Sequence, residues 1–246
     1  MVRTVFSVLI ALAISFVIIF LVSDQPLEAI KYLLIGPFTN KRSMGNVVES
    51  MIPLIFTGTG VCIMFSANQI NLAGEGAFHI GGLIASCVAI KLTATFVSPF
   101  MALLCAGLVG ALFTAIPAIM KITTTASEMV SSLMINYLAL YFGNYMLNNV
   151  IGDPKASAAS YKLADAAELP VLIQGTRVHL GFIIAIAVAV LGYFFLYRTK
   201  TGYELRLAGE NEEFARYSGI SIVKVIMISQ LLGGFVAGLG GGVEML

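Results

Sequence analysis

Apolar runs separated by short polar breaks make up most of this chain. The runs lie at Val5–Val22, about Val47–Phe65, Ala77–Val97, Pro99–Met120, Ala126–Leu147, Leu180–Tyr197, and from Ile220 to Leu246. A helix crosses the hydrocarbon core of a bilayer with about 20 apolar residues, so the pattern predicts an all-α polytopic membrane protein with about seven transmembrane helices. The run after Arg3 has the polarity of a signal peptide. It is long and has no small-residue cleavage site, so it reads as a retained span. Of the connectors, Ser23–Gly45 holds Pro26, Gly36 and Pro37, and Glu28–Leu34 within it reads as a short interfacial helix. Ser66–Gly76 is polar and very short, Lys121–Thr125 is a tight turn, and the connector 148–179 is the longest non-apolar stretch, with Pro154 and Pro170. The last run passes through a Gly-rich segment, Gly233–Gly242, and stops without a polar exit, as a segment inside a longer protein would.

The loop at 198–222 breaks this pattern most sharply. Within it, Lys200, Glu204, Arg206, Glu210, Glu212, Glu213 and Arg216 fall in one short interval. The order of residues marks both ends of a miniature helix. The side chain of Asn211 can accept from a free N–H of the first turn. Glu212 and Glu213 put negative charge at the positive end of the helix dipole, and Arg216 falls in the last turn. Gly219 can take the left-handed conformation that closes a helix. A helix of this length is unstable alone in water, so neighbours must hold it, which fits an element presented to another protein.

Composition agrees with the pattern. The chain is 59% hydrophobic and 11% charged, with mean hydropathy +0.95, whereas a soluble domain has roughly a quarter of its residues charged. The formal net charge of +1 leaves no electrostatic footprint for nucleic acid. Cys62, Cys87 and Cys105 lie in apolar runs without metal-ligand spacing and read as small buried hydrophobes. The positive-inside rule does not orient the protein. Arg3, Lys121, Arg198, Lys200, Arg206, Arg216 and Lys224 on one side are matched by Lys31, Lys41, Arg42, Lys91, Lys155, Lys162 and Arg177 on the other.

Ionisable groups at membrane depth are costly and mark functional sites by default. Glu75, Glu128 and Glu244 qualify, Glu244 close to the end of the chain. Glu128 also sits where a carboxylate favours a helix N-terminus. Gly74 and Gly76 flank Glu75 and allow the backbone to leave helical geometry. Such a break is tolerated only where it is buried in protein or lines a wet cavity, and broken helices often mark transporter sites. An ordinary turn between two spans would give the same residues. His79 reads as a proton relay or as a packing residue. In the fifth run Tyr137, Tyr141, Asn144, Tyr145 and Asn148 share one helical face, and Glu128, Ser131, Ser132 and Asn136 form a polar stripe on a similar side. Together they would line a path for a polar solute with a flat ring. An interfacial tyrosine belt with interhelical Ser and Asn bonds is the competing reading.

Four segments in order carry a family resemblance that covers Val47–Leu246. SEMVSSLMINYLA at Ser127–Ala139 resembles the NEVISTIMLNYIA pattern of permease subunits of ATP-binding-cassette importers for nucleosides and simple sugars. INLAGEGAFHIGG at Ile70–Gly82 resembles their NIGAEGQ segment, TGYELRLAGENEEFARYSGI at Thr201–Ile220 resembles GYELRAVGENPEAARYAGI, and the Gly-rich end resembles ALAGLAGAIEVLG. The nucleoside type fits better than the ribose type. The chain departs from the patterns at Ala73–Gly74, Ala77, Ser127, Glu212 and Phe214, which leaves substrate preference and the fit of the short helix open.

The resemblance implies a single transmembrane permease domain over 1–246, a fragment of a longer permease, in a bacterial-type plasma membrane. It implies no chemistry in this chain, with ATP and Mg bound by a separate cytoplasmic ATPase. The expected partners are that ATPase, a second permease subunit, an external solute-binding protein and the lipid bilayer. Asn211–Gly219 would be the coupling helix, with Arg206, Asn211, Glu213, Phe214, Arg216, Tyr217 and Gly219 as coupling residues, Phe214 and Tyr217 being the apolar anchors. That side would be cytoplasmic and 148–179 external. Asn71, Glu75, Glu128, Asn136, Tyr137 and Tyr141 form the expected substrate path. A secondary transporter with Glu75, Glu128 and His79 as its ion path is the alternative. An intramembrane enzyme is disfavoured, because the spans hold no Ser/His, HExxH-type or paired-Asp arrangement.

Overall fold

The structure, a computed structural model, describes residues 2–91, 98–124, 126–152, 161, 169–173 and 175–246. The end of the third apolar run, Thr125, and Pro154, Lys155 and Lys162 of the connector lie outside the described residues. The described residues are all-α apart from isolated bridges, among them one between Val171 and His179. The helices are α1 (Val2–Val22), α2 (Pro26–Thr39), α3 (Lys41–Ser66), α4 (Gly74–Lys91), α5 (Ser98–Thr124), α6 (Glu128–Asn149), α7 (Gly181–Arg198), α8 (Lys200–Glu210), α9 (Glu212–Tyr217) and α10 (Ile222–Met245). Two compact units are distinguished, and α3 contributes to both.

The first unit comprises 1–49 with 173–178. The α1 span buries none of its residues, so its apolar surface is left for lipid or another chain. The interfacial helix expected at Glu28–Leu34 runs from Pro26, a residue suited to the first turn, to Thr39. Pro37 costs it a hydrogen bond only near its end.

The second unit comprises 50–172 and 179–246. Its centre is α10, which packs on α4 and α5. Lipid tails are as apolar as leucine, so helix association in a membrane rests on close packing and interhelical hydrogen bonds. Small residues supply the close packing here. A β-carbon at Gly60 of α3 would lie 2.6 Å from the Gly233 carbonyl oxygen of α10, and one at Gly110 of α5 would lie 2.5 Å from that of Gly234. The Gly-rich end of the chain is therefore a helix built for backbone contact, not an unwound segment.

Five described helices are long and apolar enough to cross a membrane: Val5–Val22 of α1, and α3, α5, α7 and α10. The sequence pattern counts about seven runs. The difference lies in α4 and α6, which carry Glu75 and His79, and Glu128, Ser131, Ser132 and Asn136. The polar residues that make these two helices interesting also lower their hydropathy.

Candidate functional site

Between α3 and α4 the chain leaves helical geometry from Ala67 to Ala73. The stop is chemically specified. Asn68 has φ +52°, in the left-handed region that Asn tolerates better than most residues. The Gln69 N–H donates to the Met64 carbonyl (3.2 Å) and the Asn68 N–H to that of Phe65 (2.9 Å), the paired bonds of a Schellman closure. The Asn71 side chain then accepts from the Ala73 N–H (2.7 Å), turning the chain into α4. The sequence places the irregular backbone around Gly74 and Gly76, but both are helical, and the break lies before them. Gly76 serves close packing instead. A β-carbon there would stand 2.6 Å from Asn136 Oδ1 and 2.6 Å from the Phe113 ring.

Residues of α6 satisfy the break's backbone. Ser132 Oγ accepts from the Leu72 N–H (3.1 Å), and Asn136 Nδ2 donates to the Leu72 carbonyl (2.7 Å). Asn136 Oδ1 accepts from the Gly76 N–H (3.0 Å). A helix N-terminus needs acceptors for its first N–H groups, and Ala73 at the cap position has none in its side chain. Asn136 of a different helix does the capping.

A second set of bonds rings the break. Asn71 Nδ2 donates to Gln230 Oε1 (2.5 Å), and Gln230 Nε2 donates to Glu128 Oε1 (2.5 Å). Lys121 Nζ donates to Glu128 Oε2 (2.8 Å) and to Gln69 Oε1 (2.5 Å). Gln69 Nε2 donates to the Ala67 carbonyl (2.9 Å), and Thr114 Oγ1 to the Gln230 carbonyl (2.8 Å). Asn71, Gln230 and Thr114 are fully buried, Glu128 nearly so. Burying a charge is costly unless it is paired and hydrogen-bonded, and Lys121 and Glu128 meet that condition for each other.

Beside the break is a cavity of about 520 Å³, lined by Asn71, Leu72, Glu75, Phe78, Leu133 and Asn136 among others. Glu75 is exposed and has no hydrogen-bond partner among the described residues. A carboxylate is acceptor-only, so this wall offers charge-assisted acceptors to a ligand's donors, with the Phe78 ring nearby. A larger space of about 730 Å³ between α3 and α7 has no charged residue in its lining.

Of the expected substrate-path residues, the structure brings Asn71, Glu75 and Asn136 to this cavity. Asn71, Glu128 and Asn136 already have protein partners, which leaves Glu75 as the available charge. Tyr137 and Tyr141 are 62% and 73% exposed, on the outer face of α6, while Glu128, Ser131, Ser132 and Asn136 are buried on the other. The two polar stripes of α6 are thus separate. The ion path of the alternative reading is not assembled. His79 lines a different cavity, with Ser86 and Asn144, and Glu128 is neutralised by Lys121. Gln230, Lys121, Gln69 and Thr114 were not singled out as site residues from sequence, although a glutamine inside an apolar run signals a partner at membrane depth as a glutamate does.

At the charged loop the capped mini-helix is present. Asn211 Oδ1 accepts from the Phe214 N–H (3.0 Å). Gly219 has φ +82°, and the Ile220 N–H donates to Ala215 (3.0 Å) as the Gly219 N–H does to Arg216 (3.0 Å), a second Schellman closure. Ala215 is buried, Phe214 and Tyr217 are 56% and 92% exposed, and Glu213 is exposed. Arg216 pairs with Glu212 (3.0 Å). Arg206 lies elsewhere. Its Nε donates to the Leu196 carbonyl (3.1 Å) and its guanidinium stacks 4.7 Å from the Tyr197 ring centre, tying α8 to α7.

The chain belongs to the family described as "Branched-chain amino acid transport system / permease component", which it matches over residues 43–246. It is 32% identical to the guanosine ABC transporter permease protein NupP of Bacillus subtilis, over 86% of this chain and 62% of that protein. It is 30% identical to a glucose ABC transporter permease protein of Haloferax volcanii (98% and 67%) and 26% identical to the nucleoside ABC transporter permease protein NupB of Lactococcus lactis (88% and 63%). It therefore spans from 62% to 67% of the length of these three relatives. No solved structure matches it.

Proposed function

We propose that this chain is the membrane-spanning permease subunit of an ATP-driven importer for nucleosides or related sugar-containing solutes. The observation that carries this reading is α9, fixed at both ends and turning Phe214 and Tyr217 outward. Aromatic side chains held this way on a charged loop are anchors waiting for a groove, since Tyr and other aromatics concentrate at buried contact centres. In this reading the groove belongs to a separate cytoplasmic ATPase that holds ATP and Mg, and this chain performs no chemistry. A second permease subunit and an external solute-binding protein complete the assembly. α4 and α6 span the bilayer with the five apolar helices, in a multi-pass permease domain of a bacterial-type plasma membrane. The 198–222 loop is cytoplasmic and 148–179 external.

The solute cavity is the one beside the break, and its volume falls in the range of small-molecule sites. A nucleoside presents N–H and hydroxyl donors to Glu75 and a flat base to Phe78. Support for that solute class comes from the chemistry of the cavity and from the relatives named for guanosine, nucleosides and glucose. Transport proceeds by alternating access, driven by nucleotide binding and hydrolysis in the partner.

The test is uptake of labelled nucleosides and sugars into cells expressing the full-length permease with its ATPase and binding protein. Uptake should stop on ATP depletion and survive an uncoupler, and Glu75→Ala should lower it at least about tenfold, the loss of roughly one charge-assisted hydrogen bond. Uptake that collapses with the uncoupler and persists without ATP would replace this reading with ion-coupled transport.

A further inference from the structure

We infer that Gln230 is a positioning residue through which movement at the cytoplasmic helix reaches the solute cavity. The inference rests on the import reading above. Its starting point is a contact at the other end of the break. A β-carbon at Gly209, near the end of α8, would stand 3.2 Å from the backbone carbon of Ala67 and closer still to the Ser66 carbonyl oxygen. Backbone therefore lies on backbone where α3 ends, so α8 cannot press forward without displacing the break. Asn211 is shared between α8 and α9, ending one helix and capping the other, so displacement of α9 is felt at Gly209.

From there the break is held as a unit. Gln69 is tied to Lys121 of α5, Lys121 to Glu128 of α6, Glu128 to Gln230 of α10, and Gln230 to Asn71, which returns to the break. The ring is closed, and its donors converge on Glu128. Lys121 and the Gln230 amide both donate to the carboxylate, and Asn71 donates to the Gln230 oxygen. Asn71 is also a wall of the solute cavity. Buried networks of this kind have discrete arrangements rather than graded ones, because a half-made ring leaves buried polar groups unpaired. Gln230 is the member that joins α10 to the cavity wall. It is 0% exposed, and its backbone carbonyl is itself fixed by Thr114 of α5.

The measurement is uptake per ATP hydrolysed, taken on the same proteoliposomes, with full-length permease, its ATPase and its solute-binding protein. Gln230→Leu keeps the volume and removes both ring bonds. It should lower the ratio about tenfold, within the range of coupling between two sites. Gln230→Glu keeps an oxygen that accepts from Asn71 but sets two carboxylates face to face, and should lower the ratio as well. A ratio unchanged by Gln230→Leu, with uptake and hydrolysis falling together or not at all, would overturn the role. Absence of ATP-driven uptake by the unaltered complex would instead overturn the import reading itself.

Discussion

A single side chain, Asn136, does the work expected of a local cap. Its amide bonds Leu72 and Gly76 from a separate helix. Asn136→Ala should therefore leave the part-buried Leu72 carbonyl and the buried Gly76 N–H unsatisfied and cost about 2–6 kcal/mol, at 1–3 kcal/mol for each orphaned group. Thermal unfolding of the detergent-solubilised full-length protein would show this as a clear fall in Tm, with Ser132→Ala, which loses one bond, falling less. Equal Tm values for Asn136→Ala and the unaltered protein would contradict the capping role. The sequence put Asn71, Glu75 and Asn136 in one site, and they do meet at one cavity. It could not say that two of them hold backbone while Glu75 remains available. The partners of Asn71 and Asn136 are 159 and 60 positions away, respectively, for Gln230 and Gly76. Tyr137 shows the opposite limit. It follows Asn136 directly, and one step of about 100° around the helix carries it from the packed face to the exposed one.

At the scale of an element, α9 was the most legible part of the chain, because its determinants are local. Asn211, the acidic first turn, Arg216 and Gly219 all act within one or two turns. The resemblance grouped Arg206 with them as a coupling residue, and its bond and stacking partners are Leu196 and Tyr197 of the preceding helix. Replacing Phe214 and Tyr217 together with Asp should abolish capture of the ATPase in pull-downs, and retained capture would remove α9 from the docking role. Asn211→Ala should act more mildly. Loss of a cap costs about 1 kcal/mol, so titration of the ATPase should give a Kd roughly fivefold weaker while the anchors remain. The break before α4 was less legible. Gly74 and Gly76 drew attention as breakers, whereas Asn68 in the left-handed region and Asn71 as an acceptor set the geometry.

For the whole molecule, the proposed topology places 198–222 inside and 148–179 outside. In a background with Cys62, Cys87 and Cys105 replaced, Ser218→Cys should react with a membrane-impermeant maleimide only from the cytoplasmic side, and Val171→Cys only from outside. Labelling of both positions from one side would overturn the topology, and with it the crossing of α7, the long helix between them.

The sequence by itself determined the all-α membrane-spanning class, the positions of the apolar helices, both ends of α9 and, through ordered motifs, the permease family. Each of these depends on composition or on neighbours within a few residues, because helix period, span length and caps are local properties. Tertiary structure alone decided which face of α6 is packed, which glycines bring α3 and α5 against α10, and which polar residues close the ring around the break. Those outcomes depend on pairing between helices far apart in the chain, where a buried polar group must find its partner in space rather than in sequence.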